Sequence, residues 1–89
     1  MKGSNLFILR SIAGESLLIP VGEAALEVKG LISMSESAAI LYEKLKNECS
    51  RKDLIDLLMT EYEVDEAVAA KDTDEFLDQM RQLHILVED

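Results

Sequence analysis

Residues 72–86 read Asp72-Thr73-Asp74-Glu75-Phe76-Leu77-Asp78-Gln79-Met80-Arg81-Gln82-Leu83-His84-Ile85-Leu86. Phe76, Leu77, Met80 and Leu83 recur at three- and four-residue intervals, the spacing that places side chains on one face of an α-helix. Asp65 is positioned to cap this helix, and Val68, Ala69 and Thr73 extend its stripe, which runs to about residue 84. Upstream, Ser50 with Asp53 three residues later marks another helix start. Leu54, Leu57 and Leu58 follow on related faces, and Leu57 and Leu58 are expected in the core. Before that, Ser35 (or Ser33, with Glu36 three residues on) caps a helix carrying Ala38, Leu41, Tyr42 and Leu45. Lys44 and Lys46 lie near its end, where cations suit the helix dipole.

The N-terminal third is built differently. Leu6 to Ile12 and Ser16 to Val21 read as strands, and Ala13-Gly14-Glu15 as the tight turn between them, with Gly14 free to take positive φ. Pro20 has no N–H to give a ladder, so it belongs at a strand end or on an outer edge. Val21 to Lys29, bracketed by Gly22 and Gly30, reads as a loop or a short helical turn. Leu31 to Met34 is a third, short strand, and Ile85 to Val87 an extended tail. The expected fold is α+β and winged helix-turn-helix-like: a three-stranded antiparallel N-terminal sheet followed by three helices, in one domain over residues 1–89.

A chain of 89 residues supports one small core, and 48% apolar against 4% aromatic content makes that core aliphatic, with Phe7, Phe76, Tyr42 and Tyr62 as its large fillers. The net charge of −9 argues against nucleic acid, whose phosphates must be neutralised by Lys and Arg. In a helix-turn-helix the last helix enters the major groove. Here it carries Asp65, Glu66, Asp72, Asp74, Glu75 and Asp78 against Lys71 and Arg81. The same charge disfavours anionic membrane surfaces. No apolar run approaches the ~18–20 residues of a membrane span, and no signal peptide is legible, so a cytoplasmic location is expected.

Catalysis has little to stand on. His84 and Cys49 are the lone residues of their types, the four glycines are scattered, and the carboxylates of the last helix read as a solvated face. No catalytic residue, metal site or cofactor is expected. What remains is recognition through the backbone. A short third strand at a sheet edge presents unpaired N–H and C=O groups to an incoming chain. The last helix would form the other wall; Phe76, Leu77 and Met80 cannot all face one way, so each is either core or wall. Met34 and Met80 suit an adaptable apolar groove or serve as core filler.

Leu9 to Glu15, Ile19 to Glu23, Gly30 to Glu36 and the pattern Asp72-x-x-x-Phe76-Leu77 through Leu83-x-Ile85-Leu86, in this order and spacing, resemble the PqqD family, named for pyrroloquinoline quinone biosynthesis protein D. The resemblance covers about residues 6 to 87. It implies a non-catalytic peptide chaperone, a recognition element that binds the leader of a ribosomally made precursor peptide as an added strand. Such an element presents the peptide to a modifying enzyme, commonly a radical S-adenosylmethionine maturase. Carried over by position, the family's groove falls on Leu31, Ile32, Ser33 and Met34 of the strand and on Asp72, Phe76 and Met80 of the helix, as wall or support. Two departures stand out: Ser35 where the family often has Asn, and His84 where it often has a helix-closing Gly. The competing reading is a winged-helix transcriptional regulator or another protein–protein adaptor; a mobility shift at low salt separates the first of these.

Overall fold

Short-range chemistry accounts for most elements of the computed structural model, which describes residues 1–88; residue 89 lies outside them. Strands β2 (Phe7–Ile12) and β3 (Glu15–Pro20) form a hairpin, preceded by β1 (Lys2–Gly3). Ala13 and Gly14 alone make its turn, at φ 52 and 83°. Two left-handed residues match the twist of the flanking strands. Glu15 therefore belongs to β3, opposite Ile12.

This turn fixes the direction of every backbone group in the sheet. In a two-residue hairpin the closing residues, Ile12 and Glu15, exchange both N–H···O bonds, and bonded pairs then alternate along the strands. Arg10–Leu17 and Ile8–Ile19 follow in register. Beyond the strand ends, Val21 N–H donates to the Leu6 carbonyl at 2.8 Å, in the same phase. Ser16 and Leu18 consequently turn their backbone groups the other way, toward β4 (Ile32–Met34), where they pair with Met34 and Ile32. Ile32 and Met34 thus use their N–H and C=O on β3, and those of Ser33 point away from it. Pro20 falls in the phase of Ser16 and Leu18, but β4 stops at Ile32. Its missing N–H therefore costs no ladder bond, as expected for a proline at a strand end.

The sheet order is β2-β3-β4. Phe7, Leu18 and Met34 are buried, with Leu9 and Ile32 packed against the core. Among the described residues four helices follow the hairpin, not three: α1 (Ala24–Glu27), α2 (Glu36–Lys44), α3 (Arg51–Tyr62) and α4 (Glu66–Gln82). The extra one, α1, is the short helical turn that the Gly-bracketed segment allowed. Ser35 caps α2 by accepting from Ala38 N–H. Ser50 and Asp53 form a complete capping box on α3. The bonds from Ser50 hold the Asp53 carboxyl below its usual range. Asp65 caps α4 by accepting from Val68 N–H. Leu41, Leu45, Leu54, Leu58, Leu77 and Met80 are almost fully buried where the helices meet.

Three core expectations shift, that of Tyr62, which is exposed at the end of α3, among them. Leu57 is only half-buried and Ile55 takes its place, because the apolar face of α3 runs through 54, 55 and 58. Val68 is 44% exposed and lies off the α4 stripe. Thr73 is wholly buried and its hydroxyl has no partner among the described residues.

The end of α4 shows what the His84 departure does. Ile85 N–H donates to the Met80 carbonyl at 2.9 Å and His84 N–H to the Arg81 carbonyl at 3.1 Å, the paired closure of a Schellman motif. His84 sits at φ 57° to make it. A non-glycine residue there costs about 1–2 kcal/mol, partly offset by the greater unfolded-state freedom of glycine. His84→Gly should therefore raise the unfolding free energy by about 0.5–1 kcal/mol, read as a higher urea midpoint at unchanged slope. After this turn β5 (Leu86–Val87) pairs antiparallel with β1, so the expected extended tail is half of a small second sheet. Among the described residues no helix is long and apolar enough to cross a membrane.

Candidate functional site

Among the described residues the outer side of β4 carries no strand partner, since β4 pairs there with β3 alone. Ser33 is exposed, Leu31 is 55% exposed, Ile32 half-buried and Met34 buried. Ser33 therefore offers both backbone groups to solvent at the sheet's edge, and side-chain alternation puts Leu31 and Ser33 on the face away from the core.

Where β4 gives way to α2, an open cleft of about 220 Å³ forms against α4. Ser35 and Ser37 make one lip, Asp72, Glu75 and Gln79 the other, and Ala38, Leu41 and Phe76 the apolar floor. The α4 residues share a face because positions 72, 75, 76 and 79 repeat at helical spacing. A second cleft of about 400 Å³ shares Ser35, Ser37 and Asp72 with the first and continues past Glu36 to Leu58, Tyr62 and Val64. The two make one groove, with Asp72 at the junction.

Of the residues singled out from sequence, Asp72 and Phe76 meet in this groove. Leu31, Ile32, Ser33 and Met34 are not among its lining residues but lead into it through Ser35. Phe76 is 4% exposed, so only a ring surface reaches the cleft floor, and Met80, at 0%, lies in the core one turn further along. Sequence reasoning did not select Glu36, Ser37, Tyr62, Glu75 and Gln79. Tyr62 reads as a core filler, yet it is 36% exposed at the end of α3. Partial burial, and behind it the carboxylates of Glu36 and Glu61, push its phenol above the ordinary value.

The charges around the groove are one-sided. No Lys or Arg lines either cleft. Asp74 is held by Arg51 in a bidentate pair at 2.7 and 2.9 Å that ties α3 to α4. Asp78 has Arg81. Glu36, Asp72 and Glu75, which face the groove, form no ion pair among the described residues.

Elsewhere the reactive groups are occupied or muted. Cys49 is 8% exposed. Burial, then the Asp53 carboxylate, push its thiol up, and a protonated thiol is a poor nucleophile. His84 is the helix-closing residue already described. Among the described residues no three His, Cys, Asp or Glu side chains gather closely enough to hold a metal ion.

Comparison with known proteins bears on this arrangement. The family model described as coenzyme PQQ synthesis protein D (PqqD) matches residues 17–86, from within β3 to β5. A solved structure, TbiB1 in complex with the TbiA(beta) leader peptide, superposes with a TM-score of 0.77 over 100% of both chains at 20% sequence identity, a likeness of fold. No curated protein matches the chain.

Proposed function

The chain belongs to the PqqD family, and from that premise we propose that it is a non-catalytic chaperone for a peptide: it binds the leader of a ribosomally made precursor by strand addition at β4 and presents it to a modifying enzyme. The observation that carries this reading is the vacant edge of β4, where Ser33 turns both backbone groups outward beside a groove floored by Phe76. A leader peptide is also what TbiB1 holds in the structure whose fold this chain shares.

In this reading the chain is one winged helix-turn-helix-like domain over residues 1–89, in which the β2–β3 hairpin is the wing and α4 stands where a recognition helix would. Its acidic surface turns that architecture from phosphate to polypeptide. The peptide's backbone pairs with Leu31 and Ser33 and with the N–H of Ser35, whose carbonyl is held by Ala39 N–H at 2.9 Å, and its side chains enter the groove against Asp72 and Phe76. Ile32, Met34 and Met80 support the contact from the core. The modifying enzyme is of the maturase kind, a radical S-adenosylmethionine enzyme being the family's usual companion, and the complex forms in the cytoplasm. The chaperone itself needs no cofactor.

The expected affinity suits a hand-off. Two or three ladder bonds contribute ~0.5–1.5 kcal/mol each and one or two apolar anchors ~1.5–3 kcal/mol each. Association costs then leave micromolar binding or weaker. Titration of the ¹⁵N-labelled protein with the leader segment of the precursor encoded beside its gene tests the reading. The Ser33 and Ser35 amides should move first, with those of Asp72 to Gln79. A titration that leaves the β4 amides in place overturns it.

A further inference from the structure

We infer that the groove selects a basic peptide: one with a Lys or Arg two residues from an apolar anchor. This inference rests on the peptide-groove reading and deepens it. The groove is apolar at its base and acidic at its rim. Leu58, Tyr62 and Val64 wall the larger cleft, which takes the anchor. Glu36 and Asp72 border that same cleft, while Asp72 and Glu75 border the smaller one.

The convergence of these carboxylates on one groove is the telling point. The neighbouring acids of α4 have cationic partners within the chain, Asp74 in Arg51 and Asp78 in Arg81. Glu36, Asp72 and Glu75 have none among the described residues. They converge on one groove with no cation lining it, and the carboxylate of Glu36 lies close enough to raise the Tyr62 phenol. Seating an acidic peptide there brings like charges together in a partly desolvated cleft, whereas a basic one supplies the missing partners, so charge complementarity sets which peptide is accepted.

Strand geometry sets the spacing. In a strand added to β4, residues two apart point to the same side, about 6.5–7 Å from one another. An apolar side chain in the larger cleft therefore leaves the residue two positions away on the same side of the strand, facing the groove that Glu36, Asp72 and Glu75 border. An Arg at that position also reaches the exposed part of the Tyr62 ring, a favourable cation–π contact.

The test is selection of a displayed library of random 12-residue peptides on the full chain, on the triple variant Glu36→Gln/Asp72→Asn/Glu75→Gln, and on Glu15→Gln/Glu23→Gln/Glu27→Gln. The last removes the same charge from residues that line neither cleft. The parent chain and the remote variant should enrich Lys or Arg two residues from an apolar residue, by about three- to fivefold over input, the factor expected for a partly exposed ion pair. The groove variant should lose that preference and keep the apolar one. Equal basic enrichment on all three proteins, or apolar enrichment with no charge preference, overturns the basic-peptide inference and leaves the groove reading intact. No enriched peptide on any of the three overturns both.

Discussion

Ser33→Pro is expected to weaken leader-peptide binding at least tenfold while the protein stays folded, and Ile32→Pro, one residue earlier, to damage the fold itself. The contrast follows from the hairpin. Because Ile12 and Glu15 close a two-residue turn, the phase of β3 is set, and with it the phase of β4. Ile32 lies opposite Leu18 and uses its N–H in the sheet. Removing that donor leaves a carbonyl of the central strand unpaired beside a wholly buried side chain, a cost of about 1–3 kcal/mol before any clash of the proline ring. The total stability of an 89-residue domain is about 4–13 kcal/mol, so this is a large fraction of it.

Ser33 has no such duty. Its N–H faces the vacant edge, where proline is tolerated, and the preceding residue is already extended, as proline requires. Its stability loss should stay near 1 kcal/mol, within the range of surface substitutions that touch the backbone. The peptide, however, loses a ladder bond at the centre of the docking edge and meets the ring instead. Urea unfolding and a leader-peptide titration of both variants decide the matter. Equal unfolding of the two, or undiminished binding by Ser33→Pro, would contradict the assigned register and with it the docking edge.

How much of this was legible beforehand depended on the range of the forces involved. The caps at Ser35, Ser50 and Asp65 were readable because each is a side chain bonding to backbone three residues away. The three strands were readable as short apolar runs punctuated by glycines, and the turn from Gly14. By contrast, the phase of α3 was not: Leu54, Ile55, Leu57 and Leu58 are all apolar, so periodicity leaves the buried set open and tertiary packing selects Ile55 over Leu57. The β1–β5 pairing was out of reach for a different reason. Two residues have no period, and Lys2 meets Val87 only because the ends of the fold converge.

The candidate site divides the same way. Asp72 and Phe76 were found through the resemblance of their spacing to a known family, whereas Tyr62 and Glu36 were not found at all. They reach the groove from the end of one helix and the start of another, and nothing in the local sequence joins them. The acidic run of α4 read as a uniform solvated face. Only the structure divides it into acids partnered by Arg51 and Arg81 and acids left facing the groove.

The difference between touching the peptide and holding up what touches it gives the second large effect. Met80 is wholly buried, so Met80→Ala leaves a cavity and should cost about 2–5 kcal/mol. Met80 has no exposed surface for a docked peptide to touch, so the affinity of the folded fraction should change less than about threefold, a fraction of a kcal/mol. Phe76 has both roles: most of the ring is in the core, and one surface floors the smaller cleft. Phe76→Leu keeps most of the core volume, and a well-accommodated swap of this kind costs less than about 1.5 kcal/mol. It replaces the flat floor with a branched side chain that a seated peptide no longer matches in shape, and affinity should fall by about three- to tenfold, the equivalent of about 0.7–1.4 kcal/mol. Stability and binding should therefore move in opposite order in the two variants: Met80→Ala the less stable, Phe76→Leu the weaker binder. Both are measured at 10 °C, where the destabilised variant stays folded, by urea unfolding and by titration with the same leader segment. A Met80→Ala protein that stayed folded yet bound as poorly as Phe76→Leu would mean that the floor of the groove is set by the whole buried face of α4, and that neither side chain acts on the peptide separately.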